Sequence, residues 1–468
     1  MSAALPLAHV PAAYSLREGP CLIQGEDNWS WHALDQASDA WARDLQRRGV
    51  EHDDLVAFAL PNGPEFLAVT FGIYKAGATP APLSPKLPTA ELREILAIMR
   101  PAAFVDETDP APVKRGTVAR AVARSWKACT SGGSTGRPKV IVDHRPAEFD
   151  PGQSFIDLPR DSCVIVPGPL YHNAPFSAAV LGLARGNRLI TLDRFDAETT
   201  LSLIERERVE WALMVPTMMH RIWRLPAEMR SRYDLTSLRR VVHTAAPMPA
   251  WLKEAWIDWL GPDRVWEVYG ATEGLVRTWI GGAEWRERRG SVGRPTGGAR
   301  LTILDSEGRK LPPGQMGEVF AMPPGGPEST YHYIGAERRA TRDGWESVGD
   351  IGWLDEDGFL FLADRRSDLI ISGGVNIFPA EVEAAVLEHP AVKSCAVVGI
   401  DHEDLGQAVH AVVQSEDPDL DCIRLREFLR DRLAAPKHPR SVEVRLDPVR
   451  DDAGKVRRST LAEMAPHA

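Results

Sequence analysis

Thr130-Ser131-Gly132-Gly133-Ser134-Thr135-Gly136-Arg137-Pro138-Lys139 packs three glycines, four hydroxyl side chains and two cations into ten residues. Such a stretch presents backbone N–H groups, O–H donors and positive charge to a polyphosphate. It is not a Walker A loop, because no glycine stands five residues before a Gly-Lys-Ser/Thr. A lone glycine-rich loop is as often a surface turn; the hydroxyl density and the closing Pro-Lys favour phosphate binding.

Working outward, short apolar runs alternate with amphipathic segments through the first 270 residues. Strands are expected at Leu55–Leu60, Thr79–Pro82, Ala102–Val105, Cys163–Val166, Arg188–Leu192, Trp211–Val215, Arg240–His243 and Val265–Val268. Helices are expected at Phe66–Lys75, Ala90–Met99, Ala174–Leu183, Ala197–Arg206 and Trp251–Trp259. Continuous apolar strands with intervening helices predict parallel, doubly wound sheets covered on both faces. From about Gly290, glycines and prolines crowd between the runs Arg300–Leu304, Gly317–Ala321 and Phe359–Leu362, predicting a small antiparallel, β-barrel-like subdomain. After Asp364-Arg365-Arg366-Ser367 the pattern becomes a compact α+β unit: helices Pro379–Glu388 and Ile423–Leu433, strands Ser394–Ile400 and Ala408–Gln414. The fold class is α/β: a large N-terminal body over 1–366, its antiparallel part at 290–366, and a small mobile C-terminal domain over 367–468.

Three further segments carry chemistry. Val268-Tyr269-Gly270-Ala271-Thr272-Glu273-Gly274 follows a predicted strand, and parallel-sheet proteins bind ligands at such strand ends. It offers an aromatic face, a hydroxyl and a carboxylate able to hold Mg²⁺. Gly349-Asp350 and Asp364-Arg365, followed by Ile370-Ile371-Ser372-Gly373-Gly374-Val375-Asn376-Ile377, offer an aspartate suited to two ribose hydroxyls. Asp451-Asp452-Ala453-Gly454-Lys455 projects a lysine from a tight turn. Singly, each has a bland counterpart: a strand-end turn with a core tyrosine, an Asp-turn, a solvated basic cluster.

The chain of 468 residues is 44% hydrophobic and 26% charged, a globular composition with ample core. Lys plus Arg count 55 and Asp plus Glu 65, for a net charge of −10, so there is no electrostatic footprint for nucleic acid. Five scattered cysteines without a C-x-x-C pair argue against a disulfide framework or zinc site. No run of about 20 apolar residues exists to span a bilayer, and the start is a poor signal peptide. A soluble cytoplasmic protein, monomer or homodimer, with no membrane or nucleic-acid partner is expected.

The ordered set T-S-G-G-S-T-G-R-P-K, Y-G-A-T-E, G-D, D-R-x-S-D, S-G-G-V-N-I and G-K resembles the adenylate-forming superfamily over essentially the whole chain. That superfamily comprises acyl- and aryl-CoA synthetases, peptide-synthetase adenylation domains and luciferases. Gly-Gly-Ser-Thr-Gly with Leu170-Tyr171-His172-Asn173-Ala174-Pro175-Phe176 is most similar to the bile-acid- and aromatic-acid-CoA ligase branch. The resemblance implies that Ser131, Gly132, Gly133, Ser134, Thr135 and Gly136 wrap the β- and γ-phosphates of ATP, with Lys139 adding charge. Tyr269 would lie on the adenine, opposite the turn of Thr244, Ala245, Ala246 and Pro247. Thr272 would touch the α-phosphate and Glu273 coordinate Mg²⁺, Asp350 and Arg365 would hold the ribose, and Lys455 would bridge carboxylate and nucleotide. His172, Asn173, Ala246 and the Gly270 backbone would line the acid pocket. Gly373 and Gly374 would approach the thioester-forming face after the small domain rotates.

The expected reaction is ATP-dependent activation of a carboxylic acid, aromatic or cyclic, to an acyl-adenylate, then transfer to CoA. The alternative keeps the first half and changes the acceptor to a carrier protein, an amine or a nitrite-derived nitrogen. Two departures bear on the acceptor: Ala453 precedes Gly454-Lys455 where threonine or asparagine is usual, and Ala435-Pro436-Lys437 lacks the usual aromatic before its lysine.

Overall fold

The computed structural model describes residues 4–111, 121–132, 138–152, 155–451 and 454–465. Its centre is a parallel sheet with spatial order Pro20–Gln24, Arg188–Thr191, Cys163–Val166, Trp211–Met214, Arg240–His243, Val265–Gly270. Cys163–Val166 and Trp211–Met214 are buried at every position, as strands covered on both faces must be. The chain leaves Cys163–Val166 towards one side, to Arg188–Thr191, then crosses to the other side, to Trp211–Met214. That reversal is a topological switch point, and it opens a crevice beyond the carboxyl ends of these two strands.

The covering helices follow the sequence pattern. Asn173–Ala184 is apolar nearly all round and is buried against the sheet. Ala197–Arg206 starts where Asp196 accepts a hydrogen bond from the Thr199 N–H (2.8 Å). Helices Trp31–Arg47 and Pro64–Lys75 pack tightly: a Cβ on Gly72 would fall 2.5 Å from the Trp41 Cβ, so only glycine fits. The Lys75 ammonium, wholly buried there, is paired with Asp35 (2.6 Å) and Asp39 (2.7 Å) on the facing helix. Leu55–Phe58, Thr79–Pro82 and Ala103–Val105 form a separate three-stranded parallel sheet.

The antiparallel strands expected after Gly290 are present, and they are continuous with the parallel sheet. Arg277–Gly281 pairs antiparallel with Val265–Gly270, and Ser291–Pro295 then joins it to Leu360–Arg365 and Asp350–Leu354. The glycine-rich stretch lies elsewhere, on the hairpin Ala128–Gly132 and Pro138–Asp143, with Tyr331–Ile334 as third strand. Residues 133–137 between the hairpin's arms lie outside the described residues.

The last hundred residues carry their own sheet, built on the long hairpin Ser394–His402 and Gly406–Gln414. Period-two alternation sorts its side chains. Val397, Val409 and Ala411 face helices Pro379–Val386 and Cys422–Leu429, while Ala396, Val398 and Val412 face Leu461 of helix Arg458–Met464. Cys422–Leu429 ends four residues short of the expected Leu433. Beneath, buried Glu383 takes Arg450 (2.5 Å) and Arg458 (2.5 Å), and Arg458 also reaches Asp368 (3.0 Å). No helix among the described residues is long and apolar enough to cross a membrane. All five cysteines are free, four of them buried.

Candidate active site at the strand ends

Two connections leave the switch point. One runs from Val166 to Tyr171 and His172, which caps helix Asn173–Ala184; the other runs from Met214 through Val215 to Thr217. The C-terminal turn of Gly454 and Lys455 is seated between them. Gly454 has φ +74°, and a Cβ there would meet Thr217 Oγ1 at 3.1 Å, so the turn needs glycine on both counts. The Asp451 carboxylate accepts from the Lys455 N–H (2.8 Å) and fixes the turn. The Lys455 ammonium then lies 3.3 Å from His172 Nδ1.

Burial and the neighbouring charges set the protonation of both groups. Burial, and then the Lys455 charge, push the His172 pKa down to about 3, so His172 is neutral and Nδ1 accepts from the lysine. The proton then resides on Nε2, which is buried and has no hydrogen-bond partner among the described residues. Burial also lowers the Lys455 pKa; the Asp451 carboxylate opposes that fall and the Arg365 cation adds to it. Such a lysine gains from an anionic ligand arriving between these groups.

Around the same cleft stands a second cluster. Glu273, buried, accepts from the Lys139 ammonium (3.1 Å) and from the Tyr333 hydroxyl (2.6 Å), and Lys139 also donates to the Tyr333 oxygen (2.8 Å). Burial and the Glu273 charge push the Tyr333 phenol far up, so it stays a donor. Among the described residues no three His, Cys, Asp or Glu side chains form a metal cage. A lone carboxylate of this kind suits Mg²⁺ that arrives with a phosphate ligand.

A third cluster sits on the adjoining ladder. The Tyr269 hydroxyl donates to Asp350 (2.5 Å), and Arg365, opposite Asp350 in the strand pairing, approaches its other oxygen (3.5 Å). Burial raises the Asp350 pKa, and Arg365 and Tyr269 oppose that rise. In the turn after Arg240–His243, Ala245 adopts φ +75°. A non-glycine residue in that region is strained, and such strain persists where the surroundings impose it.

The structure thus gathers Lys455 with His172, Lys139 with Glu273, and Tyr269 with Asp350 and Arg365, from six separate segments. Asn173 begins the helix beside His172, and its side chain takes the buried Lys127 ammonium. Gly133, Ser134, Thr135 and Gly136 lie outside the described residues, as does the side chain of Ser131. Gly373 and Gly374 turn a hairpin tied to Leu405 of their own sheet (Gly373 N–H to Leu405 O, 2.9 Å), and a Cβ on Gly374 would meet nothing within 4 Å.

Sequence reading missed Tyr333, whose strand carries no chemical signature, and Arg224. Arg224 ends helix Pro216–Trp223 and spreads its guanidinium over four carbonyls of the small domain: Leu387 (3.4 Å), His389 (2.8 Å), Pro390 (2.9 Å) and Val392 (3.0 Å). With Arg457–Glu91 (3.0 Å), it docks the small domain in the position that seats Lys455. A basic-rimmed hollow of about 350 Å³ at Asp157, Arg185 and Arg240 opens at the amino ends of the strands, away from these groups.

Comparison with known proteins agrees with the geometry. Residues 11–128 and 128–326 match the family described as AMP-binding enzyme, and residues 381–451 match the AMP-binding enzyme C-terminal domain. The chain is 33% identical over 430 residues to a feruloyl-CoA synthase of Amycolatopsis sp, covering 86% of this chain and 87% of that protein. It is 31% identical over 481 residues to a 2-succinylbenzoate–CoA ligase of Geobacillus kaustophilus, covering 97% and 96%. The fold superposes on o-succinylbenzoate CoA synthetase of Bacillus subtilis in complex with its acyl-adenylate intermediate, with TM-score 0.80, 24% identity and full coverage of both chains. With its motif clusters converging at one cleft and both family domains matched in order, the chain belongs to the AMP-binding enzyme family of adenylate-forming enzymes.

Proposed function

We propose that this chain is an acid–CoA ligase: with Mg·ATP it converts a carboxylic acid to an acyl-adenylate, and CoA then captures the acyl group as a thioester. One observation carries the reading: the C-terminal Lys455 is inserted at the switch point, facing His172 and flanked by the Glu273 and Asp350 clusters. Both relatives reported above are named for CoA ligation of an aromatic acyl group, which supports an aromatic acid and CoA over the other acceptors.

In the first step a carboxylate oxygen attacks the α-phosphorus of ATP, an acyl–O–P bond forms, and the bond to pyrophosphate breaks. Three anionic groups meet, so preorganised positive charge is the main requirement and no protein nucleophile is needed. We assign Lys455 to neutralise the carboxylate and α-phosphate as they approach. Thr272 donates to the α-phosphate, and Glu273, oriented by Tyr333 and Lys139, takes the Mg²⁺ that accompanies ATP. Tyr269 and the Ala245–Ala246–Pro247 turn flank the adenine; Asp350, held by Tyr269 and Arg365, accepts the ribose hydroxyls. Ser131, Gly132, Gly133, Ser134, Thr135 and Gly136 bind the leaving phosphates. In the second step the CoA thiolate attacks the acyl carbon and AMP leaves.

We divide the chain at 366/367 and place the hinge in Asp364–Asp368, so that rotation withdraws Lys455 and brings Gly373 and Gly374 to the acyl-adenylate. Five unpaired cysteines fit a reducing compartment, where ATP and CoA are also found. The test is acid-dependent ATP–pyrophosphate exchange over a panel of aromatic acids, followed by CoA addition. Exchange, then AMP and thioester, is the expected result; release of ADP or phosphate overturns it.

A further inference from the structure

Arg277 stands directly opposite Gly270 in the antiparallel ladder, so its side chain emerges on the face where Gly270 has none. On that face Val268 and Trp279 pack into the cluster containing Trp126, Phe155, Phe176 and Ala174, next to His172 and Asn173. The Arg277 guanidinium lies 5.8 Å from the Phe155 ring and makes no hydrogen bond or ion pair with any described residue. It is half-buried, and burial together with Arg145 lowers its pKa.

Its neighbours sharpen the imbalance. Arg145 and Lys127 both lie over the Trp126 ring, at 5.1 and 4.5 Å. Arg145 occupies both oxygens of Asp143, at 3.0 and 2.6 Å, whereas the buried Lys127 has, among the described residues, only the neutral Asn173 amide and Ser177 hydroxyl. Among the described residues, Asp143 is thus the carboxylate paired with Arg145, and neither Lys127 nor Arg277 has one of its own. The Trp126 indole N–H, almost fully buried, also lacks an acceptor among the described residues. Contacts run from Lys455 to His172 and, from the adjoining Asn173, to Lys127, Trp126 and Arg145, whose charge is felt at Arg277. Aromatic rings thus lie between the Lys455 cation and the Arg277 cation. Buried cations without partners are costly unless a ligand supplies the counter-charge.

We infer that the acid substrate carries a second anionic oxygen group, such as a further carboxylate, on the far side of its aromatic ring, and that Arg277 reads it. This rests on the acid-ligase reading and names its substrate class. The experiment compares matched pairs of acids, benzoate with terephthalate, cinnamate with 4-carboxycinnamate, and phenylacetate with 4-carboxyphenylacetate. Pyrophosphate release gives kcat/KM and calorimetry gives binding, for the wild type, Arg277→Gln and Arg277→Lys. At least one diacid should exceed its monoacid about tenfold or more in the wild type. Arg277→Gln should collapse that ratio, and Arg277→Lys should restore part of it. Diacid binding that needs Arg277 but yields no AMP would sustain the subsite and overturn the ligase reading. The subsite is overturned if no diacid is preferred, or if Arg277→Gln lowers both members of a pair alike.

Discussion

Lys455 illustrates how one side chain's chemistry depends on where the fold delivers it. Its sequence context, a lysine after glycine, is commonplace; its surroundings, neutral His172 and the Arg365 cation, are not. Lys455→Ala is expected to slow acyl-adenylate formation by about 10²–10³. It should spare thioester formation from a supplied acyl-adenylate, because in the proposed rotation the lysine has by then withdrawn. Pyrophosphate exchange near the wild-type rate would refute that role. A second prediction concerns Tyr333, which donates to Glu273 at 2.6 Å. Tyr333→Phe removes a charge-assisted hydrogen bond, so the Mg²⁺ concentration for half-maximal rate should rise about tenfold. Rates measured against Mg²⁺ check this; an unchanged Mg²⁺ dependence contradicts it.

At the scale of elements, the proposed rotation has the small domain docked for adenylation and turned for thioester formation. Arg224 binds four backbone carbonyls across that boundary, contacts that any large rotation must break. Arg224→Ala should therefore lower the adenylation rate about tenfold while leaving the second half-reaction intact or faster. Equal loss in both halves would show that Arg224 serves stability alone. Gly374 gives the complementary case, at φ +80° in an exposed hairpin. Gly374→Trp is expected to leave pyrophosphate exchange near normal and to block thioester formation, as single-turnover transfer to CoA would reveal. The elements themselves were legible from periodicity: Cys163–Val166, Ala197–Arg206, Arg240–His243 and Arg300–Leu304 have the expected bounds. The hairpin carrying the glycine-rich stretch was not legible, because its first arm holds part of that polar stretch and its third strand, Tyr331–Ile334, is distant in sequence.

For the whole molecule, buried histidines couple stability to pH. His220 and His243 are almost fully buried, and burial drives both pKa values down to about 4. Unfolded, they titrate near 6.5, so between pH 6.5 and 4 the unfolded chain binds protons that the folded chain refuses. Stability is thus full above pH 6.5 and falls as the pH drops, by about 2 kcal/mol per histidine at pH 5. Thermal unfolding at pH 5 and pH 7.5 should show a clearly lower midpoint in acid; equal midpoints would exclude this coupling.

The sequence by itself determined the local chemistry and the family: the ordered motifs, the alternation of apolar strands and amphipathic helices, and the Gly-Lys turn are all encoded within short windows. Local propensity and side-chain identity are short-range properties, so they survive in a linear reading. Tertiary structure alone decided which of these groups share a cleft. His172 and Lys455 are 283 positions apart, and only the docking of the small domain at the switch point brings their segments together. Likewise, nothing next to Arg277 or Tyr333 in the chain marks them. Arg277 matters because its ladder partner is a glycine and its described neighbours supply no acid, and Tyr333 because Glu273 comes within hydrogen-bond reach. Burial and charge balance are properties of the assembled neighbourhood, set by strand order and domain docking and absent from any single segment.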